Sequence, residues 1–143
     1  MNRLITALAV GGLLLTAGCS SDKASSQPAP LNGLQSYASI KDMTSDLADG
    51  GFTCDRTESR DTFKYAAESI ACYHDGREYT LALHLSDADR DSAISVNETL
   101  LGSAGISYGL VAGANWTVNC GDPDRCQPIK QILGGKVTAK AGQ

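Results

Sequence analysis

The sequence has little of what most catalytic and nucleic-acid-binding chains display. Among its 143 residues are two histidines, His74 and His84, and one tryptophan, Trp116. No CxxC pair is present, which removes the usual redox dithiol. No GxSxG elbow accompanies either histidine, so neither belongs to a recognisable hydrolase motif. Basic residues are outnumbered, 12 Lys and Arg against 16 Asp and Glu, and form no polybasic cluster. That balance argues against nucleic acid, whose affinity comes largely from cations neutralising phosphates, and against anionic headgroups as an electrostatic target. No later segment is apolar enough to span a bilayer, and no internal repeat is visible.

What is present begins with an address. MNRLITALAVGGLLLTAGCSS places one charge at Arg3, an apolar stretch from Leu4 to Leu15 and then small residues, the layout of a secretory signal peptide. Twelve residues are too few to cross a hydrocarbon core of about 30 Å as a stable helix. The sequence Leu15-Thr16-Ala17-Gly18-Cys19 resembles a bacterial lipobox, with Thr16 in the slot the leucine most often takes. This predicts cleavage after residue 18 and lipid on Cys19. Two or three acyl chains, at about 0.8 kcal/mol per buried methylene, would make a durable membrane anchor. Residues 19–34 then read as a lipidated N-terminus and tether. SSDKASSQPAP within it holds no large apolar side chain and reaches roughly 20 Å as a flexible chain. Removing residues 1–18 removes one cation, leaving a formal charge of −5, which supports solubility.

Residues 35–140 have the length of one domain, small enough for covalent staples to matter. With Cys19 assigned to lipid, Cys54, Cys72, Cys120 and Cys126 remain, an even count that in an exported chain implies disulfides. Three connectivities are open. The preferred one joins Cys54 to Cys72, which lie in neighbouring strand-like segments, and Cys120 to Cys126, which bracket the tight loop GDPDR. Loop-closure entropy then contributes about 3 and 2.4 kcal/mol. A four-thiolate zinc site is the alternative, but neither spacing matches the two-to-four-residue pairs such sites use.

Along the chain, Ser39 is placed to cap a helix whose apolar face holds Ile40, Met43 and Leu47 and which Gly50-Gly51 ends. A strand is expected from Phe52 to about Thr57, and another from Ala67 to Tyr73. Asp75-Gly76 is a hairpin turn signal, because that turn needs positive φ. Tyr79, Leu81, Leu83 and Leu85 then alternate with Glu78, Thr80, Ala82 and His84, predicting one buried and one wet sheet face. A helix follows from Asp87 to Gly102, with strands through Tyr108–Val111 and Asn115–Val118. Asp122-Pro123 starts a last helix that Gly134-Gly135 stops, and Val137 opens a final short strand. This order predicts an α+β domain: an antiparallel sheet of about four to five strands, two to three helices packed on one face, and disulfide staples.

GANWTVNC followed by LGGKV, with the earlier GFTC and IACYHDG, resembles a group of small actinobacterial lipoproteins and secreted proteins of unassigned function, some phage-borne. The resemblance spans most of the domain through short motifs. It implies a fold and an envelope location, and no particular activity.

The acidic run DADRDSAISVNE carries the most direct chemical signal. Asp87, Asp89, Asp91 and Glu98 have the spacing of an EF-hand loop, and Ile94 fits its apolar eighth position. Ser92 stands where that loop needs glycine, at about 1–2 kcal/mol for the left-handed conformation, and the preceding YTLALHLS is a strand, not a helix. The competing reading has Ser86 cap a helix with Asp87 and Asp89 in its first turn, where the dipole favours acids, and an apolar stripe of Ala93, Val96 and Leu100. That reading makes the run scaffold.

His74, beside the turn, and His84, on the polar face of a strand, read as surface or hairpin-packing residues; a hydrolase assembled across the fold is the alternative. Trp116 reads as core, with a binding hot spot as the alternative. Two glycosylation acceptors, at Asn97 and Asn115, carry no weight beside a bacterial lipobox. The expectation is therefore a non-enzymatic, lipid-anchored module on the extracytoplasmic face of the cell membrane, binding or occluding an envelope or phage protein, with no cofactor, metal or nucleic acid. A phage-encoded superinfection-exclusion lipoprotein is its narrower form. An envelope hydrolase using His74 or His84, or a calcium-binding domain, is the competing class.

Overall fold

The computed structural model describes residues 28–60 and 64–142. The expected signal peptide, Cys19 and the tether to residue 27 lie outside the described residues. The chain runs α1 (Ile40–Asp49), β1 (Arg56–Ser59), β2 (Glu68–His74), β3 (Arg77–Leu83), α2 (Asp87–Ser103), β4 (Tyr108–Ala112), β5 (Trp116–Asn119), a 3-10 turn (Pro123–Arg125), α3 (Cys126–Leu133) and β6 (Lys136–Lys140).

The strands form one sheet in the order β1-β2-β3-β5-β4-β6, antiparallel at every pairing. The fold is α+β, with six strands where four to five were expected. The two edges, RTES and KVTAK, overlap the segments expected as strand at Phe52–Thr57 and from Val137 onward, so the difference lies in the total and not in an unforeseen segment. Edge strands bury little, so hydropathy alternation barely marks them. The first strand also starts later than expected: Phe52 is buried, but its N–H bonds Leu47 O just past α1, and pairing with β2 begins at Arg56.

Local signals explain the elements between the edges. Ser39 accepts from Asp42 N at the start of α1. Asp75 and Gly76 adopt φ of 51° and 70° between β2 and β3, as a tight two-residue hairpin requires. Disulfides join Cys54 to Cys72 and Cys120 to Cys126, with Cα–Cα separations of 5.3 and 5.4 Å. These are the preferred pairings. The first staples the chain ahead of β1 to β2, and the second staples the end of β5 to the start of α3.

The helices occupy both faces of the sheet, not one. Strand residues alternate between faces, and the register places Cys72, Tyr79, Leu81, Val111, Trp116 and Val118 together. They form the main core with Met43 and Leu47 of α1 and Ile129 and Leu133 of α3. The opposite face carries Ala82, Tyr108, Leu110 and Thr117, all buried, and α2 lies across it. Asn97 of α2 accepts from Asn119 at 3.4 Å, and Gly102 lies beside the Tyr108 ring. The face of β3 expected to be wet is therefore covered at its far end, where Ala82 and His84 are each 4% exposed, while Glu78 near the turn stays exposed. The stripe expected on α2 is rotated as a result. Ala93 is buried, whereas Val96 and Leu100 are 43% and 63% exposed.

Ahead of α1, residues 31–37 form an extended strap over the end of the sheet. Leu31 N–H donates to Ile132 O, Gly33 O accepts from Ala114 N–H, Gln35 O accepts from Trp116 Nε1–H at 3.1 Å, and Asn115 grips both the N–H and the O of Tyr37. Alternate residues are held while Asn32, Leu34 and Ser36 face solvent. Leu31, Gly33 and Leu34 lie inside the stretch read as tether, yet Leu31 and Gly33 are already bonded to the domain.

Candidate functional site

The acidic run is helix. Ser86 Oγ accepts from Asp89 N at 3.1 Å and donates to the Asp89 carboxylate at 2.7 Å, capping α2. Ser92 Oγ donates to Ala88 O within the helix, so no glycine turn is needed at that position. Asp87 and Glu98, eleven residues apart, are separated by about 16 Å at 1.5 Å per residue. One ion cannot take both. The described residues contain no cluster of three or more His, Cys, Asp or Glu side chains fit to hold a metal. Asp87, Asp89, Asp91 and Glu98 therefore lie along one capped helix, the scaffold reading of the run, and not in the loop of the EF-hand alternative.

Arg90, which drew no attention in the sequence, organises this region. Its guanidinium bonds Asp87 at 3.1 Å and Asp91 at 2.9 Å and donates to Gly113 O and Ala114 O in the β4–β5 turn. The Arg90 side chain is 19% exposed while Asp87 and Asp91 are 82% and 65% exposed, so the two ion pairs are solvent-screened and the carbonyl contacts make the link to the turn. Arg90 fastens the first turns of α2 to the sheet.

The two histidines stand at opposite ends of the β2–β3 hairpin. His74 pairs with Arg77 at the turn, and His84 follows β3 seven residues later, about 23 Å away at strand rise. His74 stacks on Phe52 with ring centroids 4.0 Å apart. Its Nδ1 lies 2.7 Å from Thr53 O, which makes Nδ1 the protonated nitrogen, and Nε2 lies 3.6 Å from Asp75. The ring borders a cleft of about 630 Å³ between α1 and α3, with Asp46, Asp49, Phe52, Gln131 and Ile132.

His84 is sealed inside. Nδ1 lies 2.7 Å from Tyr65 O and Nε2 lies 3.0 Å from Thr117 Oγ1. Burial lowers its pKa below the ordinary value of 6.5, opposed by the Tyr65 carbonyl and Asp89 and reinforced by Arg90. The ring therefore packs neutral, bridging the loop before β2 to β5. Trp116 is fully buried, and its indole N–H holds the strap. The side chains of Asn97 and Asn115 are both engaged in hydrogen bonds.

A second concave surface gathers the strap, α2 and the last strand. It is a groove of about 660 Å³ bordered by Leu34, Asp91, Ile94, Glu98, Lys136 and Thr138. Leu34 rises from its rim at 77% exposure. Apolar Leu34 and Ile94 beside charges of both signs make a surface suited to a polypeptide. The sequence did not disclose it, because the groove exists only where three distant segments meet, and its sole local signal was an unexplained leucine in a polar stretch.

No described helix is long and apolar enough to cross a membrane. Comparison with protein family models, with curated proteins and with solved structures finds no match to the chain.

Proposed function

We propose that the chain is a lipid-anchored protein of the extracytoplasmic envelope that acts by binding a protein partner rather than by catalysing a reaction. The observation that carries this reading is LTAGC, ending at Cys19, directly behind an apolar stretch too short to span a bilayer. Two disulfides accord with an oxidising compartment. The groove beside the strap offers mixed apolar and charged chemistry of the kind found at protein interfaces. Because the strap follows directly on the tether, an anchor at Cys19 would hold that groove near the membrane face.

The test is a photo-crosslinker at Leu34 in the full chain, expressed in its native envelope. A discrete crosslinked protein, lost when Ile94→Gln puts a polar amide in place of the groove's apolar side chain, supports the reading. Absence of any adduct, together with a turnover activity in the purified chain, would refute it. A hydrolase is the second reading, favoured by the placement of His74 in the cleft between α1 and α3. It requires that a hydrolytic activity be found and that His74→Ala abolish it while leaving the fold intact.

A further inference from the structure

We propose that the outer edge of β6 is a strand-addition site for an extended, acidic segment of a partner protein. The inference deepens the binding reading above, and rests on it, by naming the surface and the chemistry that surface selects.

The geometry follows from the ladder. Cys120 N–H bonds Gly109 O and Gly113 N–H bonds Trp116 O, so the odd-numbered residues of β4 turn their polar groups toward β5. By the alternation of antiparallel pairing, its even-numbered residues face β6, where Tyr108, Leu110 and Ala112 meet Lys140, Thr138 and Lys136. The backbone N–H and C=O groups of Val137 and Ala139 must then point outward. β6 ends the sheet order, and among the described residues these outward groups have no partner. They present the pattern a further strand needs.

The charge around this edge is distinctive. The strand itself carries two lysines, Lys136 and Lys140, and no acid, while Asp122 and Asp124 border a hollow with Ala141 just past its end. Lys136 and Lys140 flank the edge on the α2 side of the sheet, and Lys140 Nζ reaches Gly102 O at 3.2 Å. Lys130 is exposed on α3. None of the three lysines forms an ion pair among the described residues. Asp91 and Glu98 border the groove from the inboard side, over β4, and Asp91 is already held by Arg90. An added strand would lie on the far side of β6 from them.

The same lysines disfavour a second copy of the chain. Antiparallel pairing of KVTAK with itself, centred on Thr138, sets Lys136 against Lys140 of the other copy, a like-charge cross-strand pair. An acidic segment converts that repulsion into attraction, with Val137 and Ala139 offering small apolar contacts on the opposite face.

The experiment uses the purified full chain and a nine-residue peptide alternating glutamate with threonine and valine, beside a control with lysine at each glutamate. The acidic peptide is expected to bind saturably, to slow hydrogen exchange at the Val137 and Ala139 amides, and to lose at least about tenfold in affinity when Lys136 and Lys140 are both replaced by glutamate. Ala139→Pro removes one outward donor without touching the ladder to β4 and should abolish binding. The charge-reversed variant stands independently should the proline variant fold poorly. Equal binding of both peptides, binding unaffected by the lysine changes, or association of the chain with itself in place of peptide binding each overturns the proposal. A crosslinked partner at Leu34 retained in full by Ala139→Pro would overturn the edge site while leaving the binding reading in place.

Discussion

Replacing Gly33 by alanine tests whether the strap is part of the fold. Gly33 has φ of +82°, and a β-carbon there would fall on the backbone N and Cα of Gly135. Forcing alanine into that conformation costs about 1–2 kcal/mol. The clash cannot be relieved by rotating a side chain, because backbone meets backbone, so the strap must lift. Lifting it breaks at least the bonds Leu31 N–H to Ile132 O and Ala114 N–H to Gly33 O, at about 1 kcal/mol each. The total is about 3–4 kcal/mol. Gly76→Ala supplies the control, since Gly76 has φ of +70° with nothing within 4 Å of the added carbon. It should cost only the conformational penalty of about 1–2 kcal/mol. Urea unfolding with disulfides intact, followed by fluorescence of Trp116, whose indole N–H bonds the strap at Gln35 O, measures both. Losses that agree within about 0.5 kcal/mol would show that the Gly33–Gly135 approach does not hold the strap.

Three further outcomes follow from particular contacts. His84 has a folded pKa below 6.5, so as pH falls the unfolded chain takes up the proton first. Its contribution to stability is complete above about pH 6.5 and declines between that pH and the folded value. His84→Gln should remove this part of the pH dependence of urea unfolding, and an unchanged profile would contradict the buried, neutral assignment. Ser86→Ala should cost about 1 kcal/mol through the lost cap of α2, while calorimetric titration of the parent chain with millimolar calcium should give no heat. Removing Cys54 and Cys72 together should cost about 3 kcal/mol and removing Cys120 and Cys126 about 2.4 kcal/mol, read as separate shifts in urea midpoint.

The interior of this fold was legible where one local rule decided the outcome. Ser39 and Gly50 bound α1, Asp75-Gly76 turns the hairpin, Tyr79, Leu81 and Leu83 line one face, and the cysteines pair with near neighbours. Where tertiary packing decided, the pattern misled. Val96 and Leu100 sit at helical spacing with Ala93, yet α2 turns so that Ala93 and Asn97 meet the sheet and the larger side chains face solvent. His84 alternates with the apolar residues of β3 as a solvent-facing residue would, but α2 covers that side. The strap was hidden because its bonds come from backbone and from Asn115 and Trp116, some 80 residues away, and leave no periodic trace. The acidic run was resolved in favour of scaffold by its own Ser86 cap and Ser92. The concave surface it helps to border depended on Arg90, whose four partners lie on two elements.

The proposed function depends most on the fate of Cys19. Mass spectrometry of the chain recovered from the membrane fraction of its native host tests this directly. The account predicts a mature N-terminus at Cys19 carrying a diacylglyceryl thioether, and release of the Cys19→Ser chain from the membrane fraction. An unmodified Cys19, or a Cys19→Ser chain that stays membrane-bound, would contradict it.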